Sequence, residues 1–438
     1  MATKHPGRSG ASVHSTGSLT FLNPTTRYLL VPSLAPEDGG AKTTTVSESE
    51  GIVGTRPPAA AAKQQREWQR RAAIYHVWRS RDNRKGRHSA IVTPEVLEKM
   101  ETASVPRATD TFGETWRGVV KMFTRFPVWD ISYDVAVVFT LGSVVWVLNG
   151  SFVWLPMAAP WTEFLGEVDL GGGVTAFVGA TIFEFGSVLL MLEAVNENRS
   201  DCFGWALEEA VESHGLRLHR SEEKCRHHHH VRRYLLPGCG RKTARDPDPE
   251  ASSSDQKGAA QIDEPRRRRW SWWPTWHELT SHYLRDVGFL ACLSQMLGAT
   301  IFWIAGFTGL PPILDALSTP AANGVYWLPQ VVGGTGFIVS SMLFMIEVQD
   351  RWYIPAPRLL GWHIGLWNLV GAIGFTLCGA LGFASENPAF EYALTLSTYI
   401  GSWAFLIGSI IQWFESLDKY PISLKVPPGL VETFQLIP

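Results

Sequence analysis

The sequence predicts an all-α membrane protein with six transmembrane helices, built as three repeated two-helix hairpins with both termini cytoplasmic. Three observations predict it, and the first is the partition of charge. All 39 Lys and Arg of the 438 residues fall in four blocks, 1–128, 199–285, 351–358 and 419–425. Segments 129–198, 286–350 and 359–418 between them hold none and are apolar, rich in Gly, Trp and Phe. A soluble fold spreads its charge over its surface, so a single soluble globular domain is excluded.

The second observation is length. A hydrocarbon core of ~30 Å needs ~20 residues of helix. Six stretches meet this: Tyr133–Leu155, Val174–Ala194, Val287–Thr308, Gln330–Glu347, Trp362–Phe383 and Thr395–Glu415. Pro329 before the fourth predicts a start nearer Val325 with an irregular first turn. The runs are continuously apolar, whereas outer-membrane strands alternate. Connections 156–173, 309–329 and 384–394 carry only Glu163, Glu167, Asp169, Asp315, Glu386 and Glu391 as charges. The positive-inside rule therefore assigns both termini and the 196–285 loop to the cytoplasm. The first 50 residues have no apolar signal region, so the first span is expected to serve as an uncleaved signal-anchor.

The third observation is repetition. Odd spans share G-[SA]-x-x-[FW]-x-x-x-G: Gly142, Trp146 and Gly150; Gly298, Phe302 and Gly306; Gly371, Phe375 and Gly379. Even spans share G-x-x-x-F-x-x-[GS]-S-x-x-x-x-x-E. Its members are Gly179, Phe183, Gly186, Ser187 and Glu193; Gly333, Phe337, Ser340, Ser341 and Glu347; Gly401, Phe405, Gly408, Ser409 and Glu415. The hairpins repeat in one orientation, so a quasi-threefold bundle is expected. The glycine stripes have two readings, a pore-lining face or close helix packing, and packing is the commoner use.

The stretches PVWDISYDVAVVFTLGSVVW (127–146), EFGSVLLMLEAVNENR (184–199), PAPRLLGWHIGLWNLVGAIGFTLCGALGF (355–383) and IGSWAFLIGSIIQWFESLDKYP (400–421) resemble uncharacterised integral membrane proteins of filamentous fungi. The hairpin with its GS pair is similar to the YrhK-type membrane domain. The resemblance covers about 116–425. It implies topology and carries over no activity and no catalytic residue.

The expected organisation follows. Residues 1–115 are a basic, disordered cytoplasmic region with a short amphipathic helix at 59–81. Residues 116–195 hold an interfacial helix and the first hairpin, and 196–285 a long basic, His-containing cytoplasmic loop. The second hairpin occupies 286–347, a short cytoplasmic loop 348–361, the third hairpin 362–415 and a cytoplasmic tail 416–438. Trp116, Val119, Val120, Phe123 and Phe126 recur at helical spacing among Arg117, Lys121 and Arg125, which suits a helix lying in the headgroup region. WSWWPTWHEL (270–279) is expected to anchor at the same level through its indoles. Arg266, Arg267, Arg268 and Arg269 beside it are either a plain topology determinant or a contact to anionic lipid. No nucleic-acid-binding motif accompanies the charge.

Polar groups inside the spans are functional candidates by default. Glu184 stands mid-span, flanked at three residues by Thr181 and Ser187. It is either a proton-exchanging carboxyl or a structural hydrogen-bonding group. Gln295 and Asn368 each precede an odd-span glycine by three residues, with Phe139 at the matching place in the first span. Interhelical hydrogen bonding or solute coordination would suit them. Asn149 and His363 lie nearer the two interfaces. Glu193, Glu347 and Glu415 end the even spans, where acids oppose the helix macrodipole and need partners. Arg199, Arg351 and Lys419 are the local candidates. A ring of three carboxylates also suits the mouth of a cation pathway.

His214, His219, Cys225, His227 to His230 and Cys239 are ligand types without the spacing of a defined metal site, so neither metal nor cofactor is expected. There is no G-x-S-x-G elbow, H-E-x-x-H pair or phosphate loop, and the expectation is not an enzyme. With no cysteine in an outer loop, structural disulfides are not expected. Two functional expectations remain: passage or sensing of a proton or small cation through the bundle, or a non-transporting scaffold binding lipid or a partner. The first requires Glu184, Gln295 and Asn368 to border one cavity.

Overall fold

The structure, a computed structural model, describes residues 13–31, 74–93, 111–212 and 270–425. Ahead of the long helices lie strands β1 (Val13–Thr16), β2 (Thr26–Val31), β3 (Ile74–Arg79) and β4 (Ser89–Val92), with helix α1 (Ser80–Arg84) between the last two. They pair antiparallel in chain order, and β5 (Ile422–Ser423) joins β4 in parallel.

This sheet corrects two expectations. Residues 74–79 are strand, not part of an amphipathic helix, and 13–31 with 82–93 are folded where disorder was expected. IYHVWR is rich in β-branched and aromatic residues, and Tyr75 and Val77, two apart, point inward, 0% and 2% exposed, with His76 between them less buried. That period of two suits a pleated strand. The rest of 1–110, including 59–73, lies outside the described residues.

Helix α2 (Phe112–Thr124) precedes the first long helix. Its Trp116, Val120 and Phe123 are exposed, whereas Met122 is buried and Gly118 lies against Phe414. One apolar face is therefore exposed.

Helices α3 (Ile131–Ala158) and α4 (Gly173–Val195) form the first long pair. The short α5 (Phe203–Glu212) and α6 (Trp276–Ser281) follow, the latter opened by a Thr275–Glu278 capping box. Then come α7 (Val287–Thr308), α8 (Leu328–Val348), α9 (Leu360–Gly382) and α10 (Pro388–Leu417). With irregular first turns included, six helices of 22 to 30 residues are long and apolar enough to cross a membrane. They fit a multi-pass integral membrane protein. The fourth is preceded by a π-helical turn at Asn323–Trp327, where the sequence predicts irregularity. Asp130, Asp286 and Asn387 cap the starts of α3, α7 and α10 by accepting from backbone N–H groups.

The six helices stand in a ring in chain order, each packed on the next, and α10 returns to α3. Every one of the eleven motif glycines lies against a neighbour. A Cβ built on Gly142, Gly150, Gly179, Gly186, Gly298, Gly306, Gly333, Gly371, Gly379, Gly401 or Gly408 would meet another atom at 3.2 Å or less. Gly298 and Gly333 are the extreme case: the Cβ of each would fall 2.8 and 2.7 Å from the other's carbonyl oxygen. Close backbone approach of this kind is what holds helices together in lipid.

The sheet and the tail close over the end of the bundle where α3 begins and α10 ends. The Ser18 hydroxyl donates to the Ile346 carbonyl at 2.8 Å, and the Ala90 N–H to that of Pro421 at 3.1 Å. Trp270 and Trp272 are buried here against Phe203, correcting the expectation that they anchor in headgroups. Trp273 and Trp276 are exposed.

Candidate functional site

The motif that ends each even span decides the geometry of this end. Glu193, Glu347 and Glu415 are almost fully buried, 0%, 2% and 1% exposed. Isolated, each would cost several kcal/mol to desolvate, so each must be paired. The partners come from one short segment, residues 80–87, that α1 and its following turn push into the mouth of the ring. Arg84 grips Glu347 with both ends of its fork, Nη1 to Oε1 at 2.8 Å and Nη2 to Oε2 at 3.1 Å. Arg81 grips Glu415 likewise, Nη2 to Oε2 at 2.7 Å and Nε to Oε1 at 3.2 Å. Arg87 donates to both Glu415 and Asp82. Lys85 stands 3.7 Å from Glu193, whose same oxygen accepts from the Ser132 hydroxyl at 2.7 Å.

These contacts replace the local partners expected from sequence. Lys419 pairs with Asp130 and donates to the Lys85 carbonyl, and Arg351 donates to the Tyr353 hydroxyl. The reason is energetic. A pair four residues apart on a helix surface contributes only ~0.5 kcal/mol or less, whereas a buried fork satisfies both carboxylate oxygens at once.

The insertion depends on its turn. Gly86 has φ +61°, in the left-handed region, and a Cβ there would stand 2.5 Å from the Ser200 hydroxyl. Glycine alone meets both demands. Burial pushes the Lys85 ammonium below its ordinary value, with Arg81 and Arg84 adding to the shift. Burial opposes the Arg84 charge too, but Glu347, with Glu193 and Cys292 beside it, more than offsets it and holds the guanidinium firmly cationic. Burial, then the neighbouring Glu347, pushes the Asp286 carboxyl up.

Beneath this segment lies a cavity of about 40 Å³, room for about three water molecules. Arg81, Arg84 and Lys85 roof it, and Gln295, Asn368, Gln412, Ser143 and Ser409 supply polar wall. Phe183 and Phe405 belong to its floor and to the aromatic layer beyond it. There Trp146, Phe302 and Phe375 meet on the axis, ring centroids 4.8 to 5.9 Å apart. Phe337 packs beside them, and the gaps between these rings are too small for water.

Glu184 is elsewhere. It sits half-buried on the outer side of the ring between α4 and α7, where its Oε1 accepts from the exposed Thr300 hydroxyl at 2.9 Å. Thr181, also exposed, accepts from Trp303 Nε1 at 3.0 Å. Ser187 is fully buried and donates to the Phe183 carbonyl, so it does not continue their stripe. Gln295 and Asn368 thus border one cavity, and Glu184 does not. Asn149 is buried and bonded to Gly172 and Thr175 rather than open to an interface, while His363 contacts the Pro357 carbonyl.

Sequence reasoning missed the 80–87 segment, Ser143, Ser409 and Gln412. The signal for the segment was present: three matched carboxylates need cations, and RSRDNRKGR (79–87) is a dense basic run ahead of the first span. Gln412 sits three residues after Ser409, on the same helical face. The His-rich loop and Arg266 to Arg269 lie outside the described residues. Among the described residues no group of His, Cys, Asp and Glu is arranged to hold a metal, and no disulfide joins Cys202, Cys292 and Cys378 to one another. No protein-family model, curated protein or solved structure matches this chain.

Proposed function

We propose that the protein is a membrane solute-binding bundle, made of three copies of one hairpin round a quasi-threefold axis with both termini cytoplasmic. It holds a small solute in the axial cavity and passes or senses it, and segment 80–87 is the stopper at the cytoplasmic mouth. The observation that carries this reading is which residues line the cavity. Phe139, Gln295 and Asn368 occupy one motif position in the three hairpins, and Leu190, Phe344 and Gln412 another. Both sets converge on the same space. Amides and cations facing a cavity within an apolar bundle are costly, and in membrane proteins such groups mark pathways and sites.

The reading is non-enzymatic. It moves the emphasis away from a proton or cation route through Glu184, which faces outward, and from a free carboxylate vestibule, since the three acids are capped. A second reading, a non-transporting scaffold, is favoured by the water-tight aromatic layer and the glycine contacts. In either reading the bilayer is the medium, the apolar face of α2 lies in the headgroups, and Arg266 to Arg269 are proposed to meet anionic lipid.

The test is flux of proton, potassium and chloride into liposomes holding the full-length protein, beside Asn368→Leu and Glu184→Gln. Flux present in the wild type and in Glu184→Gln but lost in Asn368→Leu is the expected result. Flux lost in Glu184→Gln alone would return the pathway to the outer face. No flux in any of the three, with no solute bound, would leave the scaffold.

A further inference from the structure

Accepting the axial cavity as a solute site, the charge of its lining names the class of solute. Among the described residues its charged lining is entirely cationic: Arg81, Arg84 and Lys85, with no carboxylate. The acids of the cluster point their oxygens elsewhere. Both oxygens of Glu347 are held by Arg84, and both of Glu415 by Arg81 and Arg87. Glu193 Oε1 is held by Ser132; Glu193 Oε2 has no donor, and this residue does not line the cavity.

Two donors remain over. Lys85 Nζ and Arg84 Nε are buried and make no hydrogen bond, on side chains 1% and 3% exposed. Buried donors of charged groups are expensive to leave unmade, and in native proteins they ordinarily have a partner. The walls add amide groups of Gln295, Asn368 and Gln412, each able to donate. Space for about three waters admits an ion the size of chloride or nitrate and not a large organic solute.

We propose that the axial cavity is a binding site for a small inorganic anion, held by the Lys85 ammonium and the Arg84 Nε–H with amide N–H donors from the ring of helices. The anion completes the stopper: it sits under the cations that cap the three glutamates, so its occupancy and the seating of segment 80–87 are linked. Cations are repelled by this lining. Neutral solutes offer the unbonded Lys85 Nζ and Arg84 Nε donors only an uncharged acceptor.

The experiment uses the purified full-length protein and two readouts. One is saturable binding of radiolabelled chloride. The other is the thermal unfolding midpoint at constant ionic strength in chloride, in nitrate, and in gluconate, which is too large to enter. The wild type is expected to bind chloride and to unfold at a higher temperature in chloride or nitrate than in gluconate. Lys85→Gln removes the positive charge and Asn368→Leu an amide donor, and each should weaken binding about tenfold or more. Should Lys85→Gln fail to fold, Asn368→Leu and Gln412→Leu carry the test, since neither side chain belongs to an ion pair.

Chloride bound equally by wild type and by folded variants would overturn the site. No anion effect, together with stabilisation by urea or potassium that Asn368→Leu abolishes, would overturn the anion while keeping the solute-binding reading. No effect of any of these solutes would overturn both.

Discussion

The axis of the bundle is filled by opposite means at two levels. At the mouth, four cations from residues 81–87 meet Asp82, Glu193, Glu347 and Glu415 in a buried charge cluster. In the middle, aromatic rings from the odd and even motifs interlock without a charge among them. The aromatic level takes one ring from the motif of each helix, and Trp146, Phe302 and Phe375 meet across the axis. The charged level takes its cations from a single segment, residues 81–87, whose partners Glu193, Glu347 and Glu415 lie more than a hundred positions away. One level is therefore written in a motif that each hairpin carries, and the other depends on a segment that occurs once in the chain.

The largest effect should come from separating a pair at the mouth. Arg84→Met leaves Glu347 buried and unpaired, and Glu347→Gln leaves Arg84 so; each should cost about 3–5 kcal/mol. The double variant should cost far less than the sum, because it removes two desolvated charges together. Unfolding midpoints of the four proteins in detergent close the cycle. Additive losses would mean that Arg84 and Glu347 do not depend on each other, and the contrast between the two levels would fail on the charged side.

Next comes the glycine layer. Gly333→Ala sets a methyl group against the Gly298 carbonyl and the backbone of Phe302, neither of which can rotate away. Overpacking of that kind costs about 1–3 kcal/mol. Gly186→Ala meets only side-chain carbons of Phe139 and Val138, at 3.2 Å, and should cost about 1 kcal/mol or less because those groups can shift. Equal losses at the two sites, measured by the same unfolding assay, would show that side-chain and backbone approach matter alike, and the layer would lose its distinction.

How much was legible follows the same division. The six spans, the irregular start of the fourth and the close packing at the motif glycines could be read, because local period and length dictate them. Gln295 and Asn368 could be placed on one cavity because they share a position in the motif. Which way Glu184 points was not legible, since mid-span depth says nothing of direction: Thr300 and Trp303 hold the Glu184–Thr181 pair on the outer side of the ring. The partners of Glu193, Glu347 and Glu415 were sought nearby, where helix spacing offers candidates. The cations that reach them are carried there by a sheet, and strand pairing between residues 13–31, 74–92 and 422–423 has no local signature.

The smallest expected effect asks how fully the charges at the mouth are balanced. The Ser80 hydroxyl stands 3.1 Å from Asp286 Oδ2 and 2.9 Å from Glu347 Oε1, and one O–H proton cannot serve both. Burial first, and Glu347 second, push the Asp286 carboxyl above its ordinary value. The sign follows from linkage. A carboxyl raised on folding is bound to more protons in the folded than in the unfolded chain, so its contribution is full below about pH 4 and lost as pH rises through the folded value. Asp286→Asn keeps an oxygen for the Phe289 N–H, which Asn caps about as well as Asp, and imitates the protonated form. The variant should therefore gain on the wild type as pH is raised from 4 to 7, in unfolding midpoints recorded side by side. A difference that stays flat across that range would mean Asp286 ionises freely, and that the mouth tolerates a further negative charge beside its glutamates.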